Sequence, residues 1–415
     1  MMKQKRLFKT LTVVLSCTSI LYFNSCKKEE MPERGNEDAE LLDCSIFTED
    51  IVLEKNPERN VDYLIDCRVR INGSKLTIEP GVIIEFTENG WIEQRGNSEG
   101  IISAIGTAND PIIFRGTKNS KGHWKGIKIG SDNNENELKY IKLQDAGKEN
   151  LAGLRVGTNA HLKLSNSEIS NNKEAGLSIF TATPFVGVDV GEYAVNLTNN
   201  RVFNNAYPVS VHVQNVNNLT PGNDFSGNDR DEIEVETGNS SGYRILQDVT
   251  WNNLGMPYIL RGGDVRTRGK LTIEPGVIMK FDLNANLTIT KDGSIHAVGT
   301  EEKPIVFTSI ENTPQYWRSI QAESEQPVNE IAYAIIENTG NESTGSRWKQ
   351  GNVVSYKTSH VLNIHDVKFR NINPKFCAVR GPVQVSNISI EGHDPNEVCE
   401  HNEDHRQADN DYDMP

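Results

Sequence analysis

The phrase KLTIEPGVI occurs twice in this chain, at residues 75–83 and again at residues 270–278. In the first copy the apolar Leu76 and Ile78 flank the polar Thr77, and a Pro-Gly dipeptide follows. Alternation of apolar and polar residues indicates a strand with one buried face, and Pro-Gly indicates a turn. The phrase contains no candidate catalytic group with a partner nearby. Its repetition therefore predicts a repeated architectural unit of short strands that end at turns.

Other phrases also return in the same order, and the offset between the copies changes only from 195 to 193 residues. This indicates a tandem duplication, so we expect matching positions to have matching environments and matching apolar residues to be buried. The returning phrases are AIGTANDPIIF (104–114) as AVGTEEKPIVF (297–307), HWKGIKI (123–129) as YWRSIQA (316–322), and NELKYIKLQDAG (136–147) as NEIAYAIIENTG (329–340). The matching pairs are Leu76 and Leu271, Ile78 and Ile273, Val82 and Val277, Phe86 and Phe281, Phe114 and Phe307, and Tyr140 and Tyr333.

Strand-like segments also recur inside each unit, about every 20–25 residues, which is a spacing typical of solenoids. LKLSNSEISNN (162–172) and VNLTNNRVFNN (195–205) are two examples. Asparagine tolerates left-handed backbone geometry, and its amide can bond to the same group on the next coil of a stack. We therefore expect turn positions at Asn166, Asn171, Asn200 and Asn204.

The phrases LTIEPGV, A-GT-PI-F, W-GI and Y-I-AG resemble the recurring coil phrases of right-handed parallel β-helix lipoproteins of the Bacteroidetes type, from about residue 60 to 390. The resemblance implies an all-β, right-handed parallel β-helix of two duplicated units with disordered termini. One continuous stack is favoured over two stacked half-helices. The predicted segments are a signal peptide (1–25), an acidic tether (26–43), unit 1 (44–245), unit 2 (246–399) and an acidic disordered tail (400–415).

The amino terminus resembles a bacterial lipoprotein signal. A basic start precedes the apolar stretch at 11–23, which is too short for a comfortable membrane span and ends in NSC. The resemblance implies that Cys26 is lipidated and anchors the chain in the outer membrane. The following KKEE (27–30) resembles a surface-export signal, which implies that the chain faces outward. The alternative is an ordinary cleaved secretory peptide, with Cys26 in a disulfide.

Four further cysteines remain in the predicted mature chain, and four cysteines allow three pairings. One close pair lies near each end of the chain, which favours local disulfides in an oxidising compartment. The predicted disulfides are Cys44–Cys67 and Cys377–Cys399. Their spacing does not match a zinc site.

The formal charge of the chain is −14, and removing the four signal-peptide cations at positions 3, 5, 6 and 9 leaves −18. Such a surface repels nucleic-acid phosphates and other anionic polymers. The charge therefore excludes nucleic acid as an expected partner and counts mildly against a polyuronate ligand.

Catalytic patterns known from β-helix enzymes are missing from the sequence, so no catalytic residue is predicted. The polygalacturonase-like pattern is absent, and no Ser-His-Asp or Cys-His arrangement is recognisable. No cofactor is predicted, with Ca²⁺ as the alternative, for which Asp229, Asp231 and Glu232 are the candidate ligands. The alternative is a solvated acidic turn, since their spacing is not that of a dedicated calcium loop.

Four of the five tryptophans separate into matched and unmatched positions. Trp348 lies in the polar loop at 341–352 beside Arg347 and Lys349, and these three residues are the candidate ligand-binding site. An exposed indole could stack on a sugar face, and the alternative is a ring folded over the solenoid. Trp91 is interpreted as a packing residue. Trp124 and Trp317 occupy matching positions in the two copies, and we expect both to pack at coil corners.

The predicted function is that of a lipid-anchored, surface-exposed and non-catalytic β-helix of the cell envelope. Its role would be structural or the binding of a glycan or a protein partner. The alternative is a divergent carbohydrate-active enzyme, either a polysaccharide lyase or a glycoside hydrolase. A cleft with two carboxylates, or Ca²⁺ beside an Arg or Lys, would separate the two.

Overall fold

The computed structural model describes residues 38–96, 99–180, 195–237, 244–341, 351–355, 362–381 and 383–391. These residues belong to one compact unit, Glu33–Pro415. Within them the helices are three short 3-10 segments at Cys44–Thr48, Lys148–Asn150 and Val213–Asn218. The rest of the regular structure is strand.

Among the described residues, the first part of the chain contributes twenty strands of two to six residues. They are β1 (Glu40–Leu41), β2 (Ile51–Leu53), β3 (Tyr63–Ile65), β4 (Arg68–Ile71), β5 (Lys75–Ile78), β6 (Ile83–Phe86), β7 (Trp91–Gln94), β8 (Ile101–Ile105), β9 (Ile112–Gly116), β10 (Ile127–Ile129), β11 (Glu137–Lys139), β12 (Ile141–Gln144), β13 (Leu154–Val156), β14 (Leu162–Ser165), β15 (Glu168–Ser170), β16 (Ala175–Ile179), β17 (Val195–Thr198), β18 (Arg201–Phe203), β19 (Tyr207–His212) and β20 (Ile233–Glu236).

The described residues of the second part contribute sixteen strands, two of which span nine residues. They are β21 (Arg244–Ile245), β22 (Val249–Trp251), β23 (Tyr258–Arg261), β24 (Val265–Thr267), β25 (Lys270–Ile273), β26 (Ile278–Phe281), β27 (Asn286–Ile289), β28 (Ser294–Val298), β29 (Ile305–Ser309), β30 (Ser319–Ala322), β31 (Asn329–Glu337), β32 (Gly351–Ser355), β33 (Leu362–Arg370), β34 (Cys377–Arg380), β35 (Val383–Ser386) and β36 (Ser389–Ile390).

Successive coils of the first copy add one strand to each of three parallel sheets. Sheet 1 has the order β1-β3-β6-β9-β12-β15-β18, sheet 2 contains β4-β7-β10-β13-β16-β19-β20, and sheet 3 has the order β2-β5-β8-β11-β14-β17 read in chain order. Their pairings are parallel, as in β5 with β8 and β6 with β9. Each strand is thus hydrogen-bonded to the coils before and after it. The prediction of an all-β parallel β-helix is confirmed.

The two copies form one continuous stack, as expected, but with a change of face at the junction. Strand β20 pairs with β19 of sheet 2 on one side and with β23 on the other. By the duplication offset of 195 residues, β23 corresponds to β3, which belongs to sheet 1. The second copy therefore continues the stack with its strands moved by one face relative to the first.

Duplicated positions have matching environments, which confirms the expectation from the repeated phrases. The apolar pairs are all at most 2% exposed, because their side chains point inward from short strands or, for the valines, from the residue just before a strand. Tyr140 and Tyr333 share a left-handed backbone, with φ of 48° and 46°. The buried pairs are Leu76 and Leu271, Ile78 and Ile273, Val82 and Val277, Phe86 and Phe281, and Phe114 and Phe307.

Adjacent Asn-Asn pairs have two different roles at the turns. In each of three such pairs the first asparagine has a φ between 54° and 57°, and the second is at most 3% exposed. The buried members form ladders between coils, with Asn172 Nδ2 donating to Asn205 Oδ1 at 2.8 Å and Asn205 Nδ2 to Asn228 Oδ1 at 3.0 Å. The predicted turn role is confirmed at Asn166, Asn171, Asn200 and Asn204, of which Asn200 is a ladder residue. The three pairs are Asn171-Asn172, Asn199-Asn200 and Asn204-Asn205.

The predicted Cys44–Cys67 disulfide is present, with a Cα–Cα distance of 6.5 Å. It ties the 3-10 segment that begins at Cys44 to the first coils, and Phe47 of that segment is 1% exposed. A disulfide that closes a loop of this size contributes about 3 kcal/mol to stability. The Cys377–Cys399 disulfide stays a prediction, because Cys399 lies outside the described residues.

Candidate functional site

Several predicted site residues lie outside the described part of the chain. These include the candidate ligand-binding residues Arg347, Trp348 and Lys349, and the candidate lipidation site Cys26. Their roles stay predictions. The helices that the structure describes are too short and too polar to cross a membrane.

The candidate calcium ligands do not point to a common centre. Asp229 forms an ion pair with Lys121 at 2.9 Å, and Glu232 forms one with Arg230 at 3.1 Å. Asp231 instead accepts two backbone N–H groups of its own turn, at 2.8 and 3.1 Å. Among the described residues, no group of three or more His, Cys, Asp or Glu side chains could hold a metal ion. These contacts favour the interpretation as a solvated acidic turn.

Trp124 and Trp317 are packing residues at coil corners, as their matching positions predict. Trp124 stacks on Phe86 with ring centroids 3.9 Å apart, and Trp317 stacks on Phe281 at 4.3 Å. Both rings are fully buried, and each indole N–H donates to a backbone carbonyl twenty residues later, at 2.7 and 2.8 Å. Neither ring is available to a ligand.

The interpretation of Trp91 as a packing residue is corrected by the position of its side chain. It begins β7, where Ile92 and Gln94 are at most 1% exposed and belong to the interior. The Trp91 side chain lies on the outer side of sheet 2 and is partly exposed. This correction places one aromatic ring on the lateral face of the solenoid.

Three cations surround the Trp91 ring. The guanidinium carbon of Arg68 is 4.6 Å from the ring centroid, and that of Arg155 is 5.6 Å away. The Lys125 ammonium is 5.5 Å away. Such contacts favour a cation over a tryptophan face. Lys128 lies opposite Arg155 in the pairing of β10 and β13, and Trp91 with these four cations forms what we call the Trp91 cluster.

The carboxylates near the cluster balance only part of its positive charge. Glu93 pairs with Arg68 and, at 3.2 Å, with Lys128. Glu149 pairs with Lys125 at 2.8 Å. Four cations therefore share two carboxylates, and no ion pair with a carboxylate of the described residues is left for Arg155. The cluster is an electropositive site on a chain of net charge −14.

Arg155 is the least satisfied cation of the cluster. Its Nε and Nη2 atoms are buried and have no hydrogen-bond partner among the described residues. Burial lowers the pKa of Arg155 to about 10, so that it is still protonated at neutral pH. Burial also lowers the pKa of Lys128, and the nearby Arg155 and Arg68 add to that effect. The guanidinium has two donors directed into a crowded, positively charged environment.

A second polar cluster lies on the outside of the second copy. His365 Nδ1 is 2.7 Å from an Asp366 oxygen, and its Nε2 is 3.1 Å from a Glu330 oxygen. His296 approaches the other Glu330 oxygen at 3.5 Å. Hydrogen bonds to Asp366 and Glu330 raise the pKa of His365. Because His365 occupies both carboxylates, this cluster lacks a free acid and base pair facing a common point.

Sequence reasoning did not find the Trp91 cluster, although one signal for it exists. RVRI (68–71), IKI (127–129) and LRV (154–156) each alternate basic with apolar residues along a strand. Alternation alone puts such side chains on the outer face. What it cannot supply is which of these strands are neighbours in the same sheet.

Comparison with known protein families, with curated proteins and with solved structures finds no match to this chain. The class that the fold defines is therefore a duplicated parallel β-helix with a cationic, aromatic site on its lateral face.

Proposed function

We propose that this chain is a lipid-anchored protein of the bacterial outer membrane that binds a glycan through the lateral face of its β-helix, without catalysis. The observation that carries the proposal is the Trp91 cluster. A partly exposed indole and several hydrogen-bond donors lie together on strands β4, β7, β10 and β13. Aromatic surface with a few convergent polar groups suits sugar recognition.

The rigidity of the sheet supports a binding role. Arg68 lies directly opposite Trp91 in the pairing of β4 and β7, and Lys128 lies opposite Glu93 in that of β7 and β10. Parallel pairing on both sides fixes the backbone of each strand, so the side chains need little ordering when a ligand arrives. A tether at 26–43 would hold this face away from the membrane surface.

The anchor is tested by the Cys26→Ala variant. We expect it to leave the membrane fraction, since the thioether to the lipid cannot form. Detergent-phase partitioning followed by immunoblotting measures the change. Unchanged partitioning of the variant with the detergent phase would contradict the anchor at Cys26.

The binding role is tested on a glycan array with labelled Cys26→Ala protein, which is expected to be free of lipid. We expect retention on a subset of glycans, and a loss of at least about fivefold in Trp91→Ala, in line with about 1 kcal/mol for one aromatic contact. Trp348→Ala is the matched comparison, because it removes the other candidate ring. Loss in Trp348→Ala alone would move the site to residues 347–349, and an array without any retained glycan would contradict the binding role.

Catalysis is tested in the same preparations. Incubation with pectin, alginate, glycosaminoglycans and mucin glycans, with and without Ca²⁺, is expected to release no unsaturated product and no reducing ends. Turnover that disappears in Glu330→Gln would support the carbohydrate-active enzyme instead, with its site at the second polar cluster.

A further inference from the structure

The Trp91 cluster contains more positive than negative charge, and one of its cations lacks hydrogen-bond acceptors. A buried guanidinium without acceptors is unfavourable, since each unpaired buried donor loses its hydrogen bonds to water. Arg155 has two such donors, Nε and Nη2. The carboxylates of Glu93 and Glu149 are already paired with Arg68, Lys125 and Lys128. An anion that displaced the side chains covering these two atoms would supply the missing acceptor.

We propose that the Trp91 cluster binds the anionic group of an acidic sugar, a carboxylate or a sulfate, with Arg155 as its principal partner. This inference rests on the proposed glycan-binding function and names its ligand class. The planar guanidinium fork matches both groups, because each presents two oxygens side by side. Lys128 adds charge from the adjacent strand, and Trp91 holds the cations in place while offering apolar surface to the sugar ring.

The length of the cationic patch limits the ligand. It extends from β4 to β13, three strand spacings or about 14 Å along the stack. Beyond Arg155 the same register continues through Ser178 and Ser210 to Glu234. Glu234 is already paired with Arg230 and Arg261, so this row offers no unpaired cation to a long polyanion, on a chain that is acidic overall. The site is suited to a terminal acidic sugar or a short acidic oligosaccharide rather than a polymer.

The experiment is isothermal titration calorimetry of the full chain in detergent with four sugars and two free ions. Galacturonic acid and galactose form one pair that differs in a carboxylate, and N-acetylglucosamine 6-sulfate and N-acetylglucosamine form another that differs in a sulfate. Sodium acetate and sodium sulfate test the anionic groups without a sugar. We expect at least one acidic sugar to bind at least tenfold more tightly than its neutral partner and than its free ion, with affinity falling as salt rises. Whichever acidic sugar binds shows whether the recognised group is a carboxylate or a sulfate.

Variants locate the site. Arg155→Gln is expected to weaken binding of the acidic sugar at least tenfold, and Arg155→Lys to weaken it less, because the charge stays while the fork is lost. Arg201→Gln is the matched control, since Arg201 also lies over an aromatic ring, Phe203 at 4.2 Å, but pairs with Asp224. Its affinity should match that of the parent. Thermal unfolding of each variant verifies that it folds.

Four results would overturn the inference. Neutral and acidic sugars of equal affinity would leave glycan binding intact and remove the anionic specificity. Free ions as tight as the acidic sugars would indicate an anion site without a sugar. Acidic-sugar binding that Arg155→Gln and Arg155→Lys leave unchanged would place the site elsewhere. Absence of binding to all four sugars, with array glycans still retained, would reject acidic sugars while the proposed function stands.

Discussion

Replacing Trp124 with alanine is expected to lower the free energy of unfolding by about 3–5 kcal/mol, the usual cost of truncating a large buried aromatic side chain. The Trp124 ring has no exposed surface and stacks on Phe86 at 3.9 Å. Its indole N–H satisfies the Gln144 carbonyl at 2.7 Å. The change therefore opens a cavity at a coil corner and leaves a carbonyl without its donor. Guanidinium chloride unfolding followed by circular dichroism measures the difference.

The duplication supplies an internal comparison for this prediction. Trp317→Ala removes the matching ring, which stacks on Phe281 and donates to the Glu337 carbonyl at 2.8 Å. The two variants should therefore lose stability by amounts within about 1 kcal/mol of each other, given the usual dependence on local relaxation. A loss below about 1 kcal/mol for Trp124→Ala would show that these rings do not support the corners.

Much of the fold could be predicted because it depends on local chemistry. The alternation in KLTIEPGVI places Leu76 and Ile78 on the buried face of β5, and Pro-Gly ends the strand at a corner. Since each coil repeats this rule, the duplicated phrases alone also identify matching positions such as Phe86 and Phe281. Local patterns therefore determine which face of each strand is buried and where the strand ends.

The candidate site depends on coil length, which local patterns do not contain. Successive outward positions of sheet 2 are separated by 23 residues from Arg68 to Trp91, 35 from Glu93 to Lys128 and 27 from Lys128 to Arg155. Loops of different length between the strands cause this variation. A reader of the sequence who assumed one period would place these cations on different faces. The change of face at β20 escapes prediction for the same reason.

The paired asparagines at the turns could be predicted only in part from the sequence. Their dipeptide indicated a turn, but only the coil stacking shows that the second asparagine is buried and the first is not. In the pair at 204–205, Asn204 has a φ of 54° and is exposed, whereas Asn205 has no exposed surface. We therefore expect two identical neighbouring residues to contribute unequally to the stability of the fold.

Asn205→Leu is accordingly expected to lower the free energy of unfolding by about 3 kcal/mol or more, although leucine has the same branching and the same number of side-chain heavy atoms. The side-chain Oδ1 of Asn205 accepts hydrogen bonds from the backbone N–H and from the side-chain amide of Asn172, at 3.0 and 2.8 Å. Its amide donates to the Ile169 carbonyl at 3.2 Å and to Asn228 Oδ1 at 3.0 Å. Leucine leaves these buried groups unpaired, and each costs about 1–3 kcal/mol.

The matched control for this change is Asn196→Ala, on the exposed side of β17 in the neighbouring sheet. Among the described residues its side chain is hydrogen-bonded to Thr198 alone, at 3.0 Å, so stability should change by no more than about 0.5 kcal/mol. Equal unfolding midpoints for Asn205→Leu and Asn196→Ala would contradict the ladder argument. A large loss confined to Asn205→Leu would instead mean that the stack depends on polar groups inside its corners as much as on its apolar core. The requirement is physical, since a coil that turns three times must bury backbone groups that its strands cannot pair.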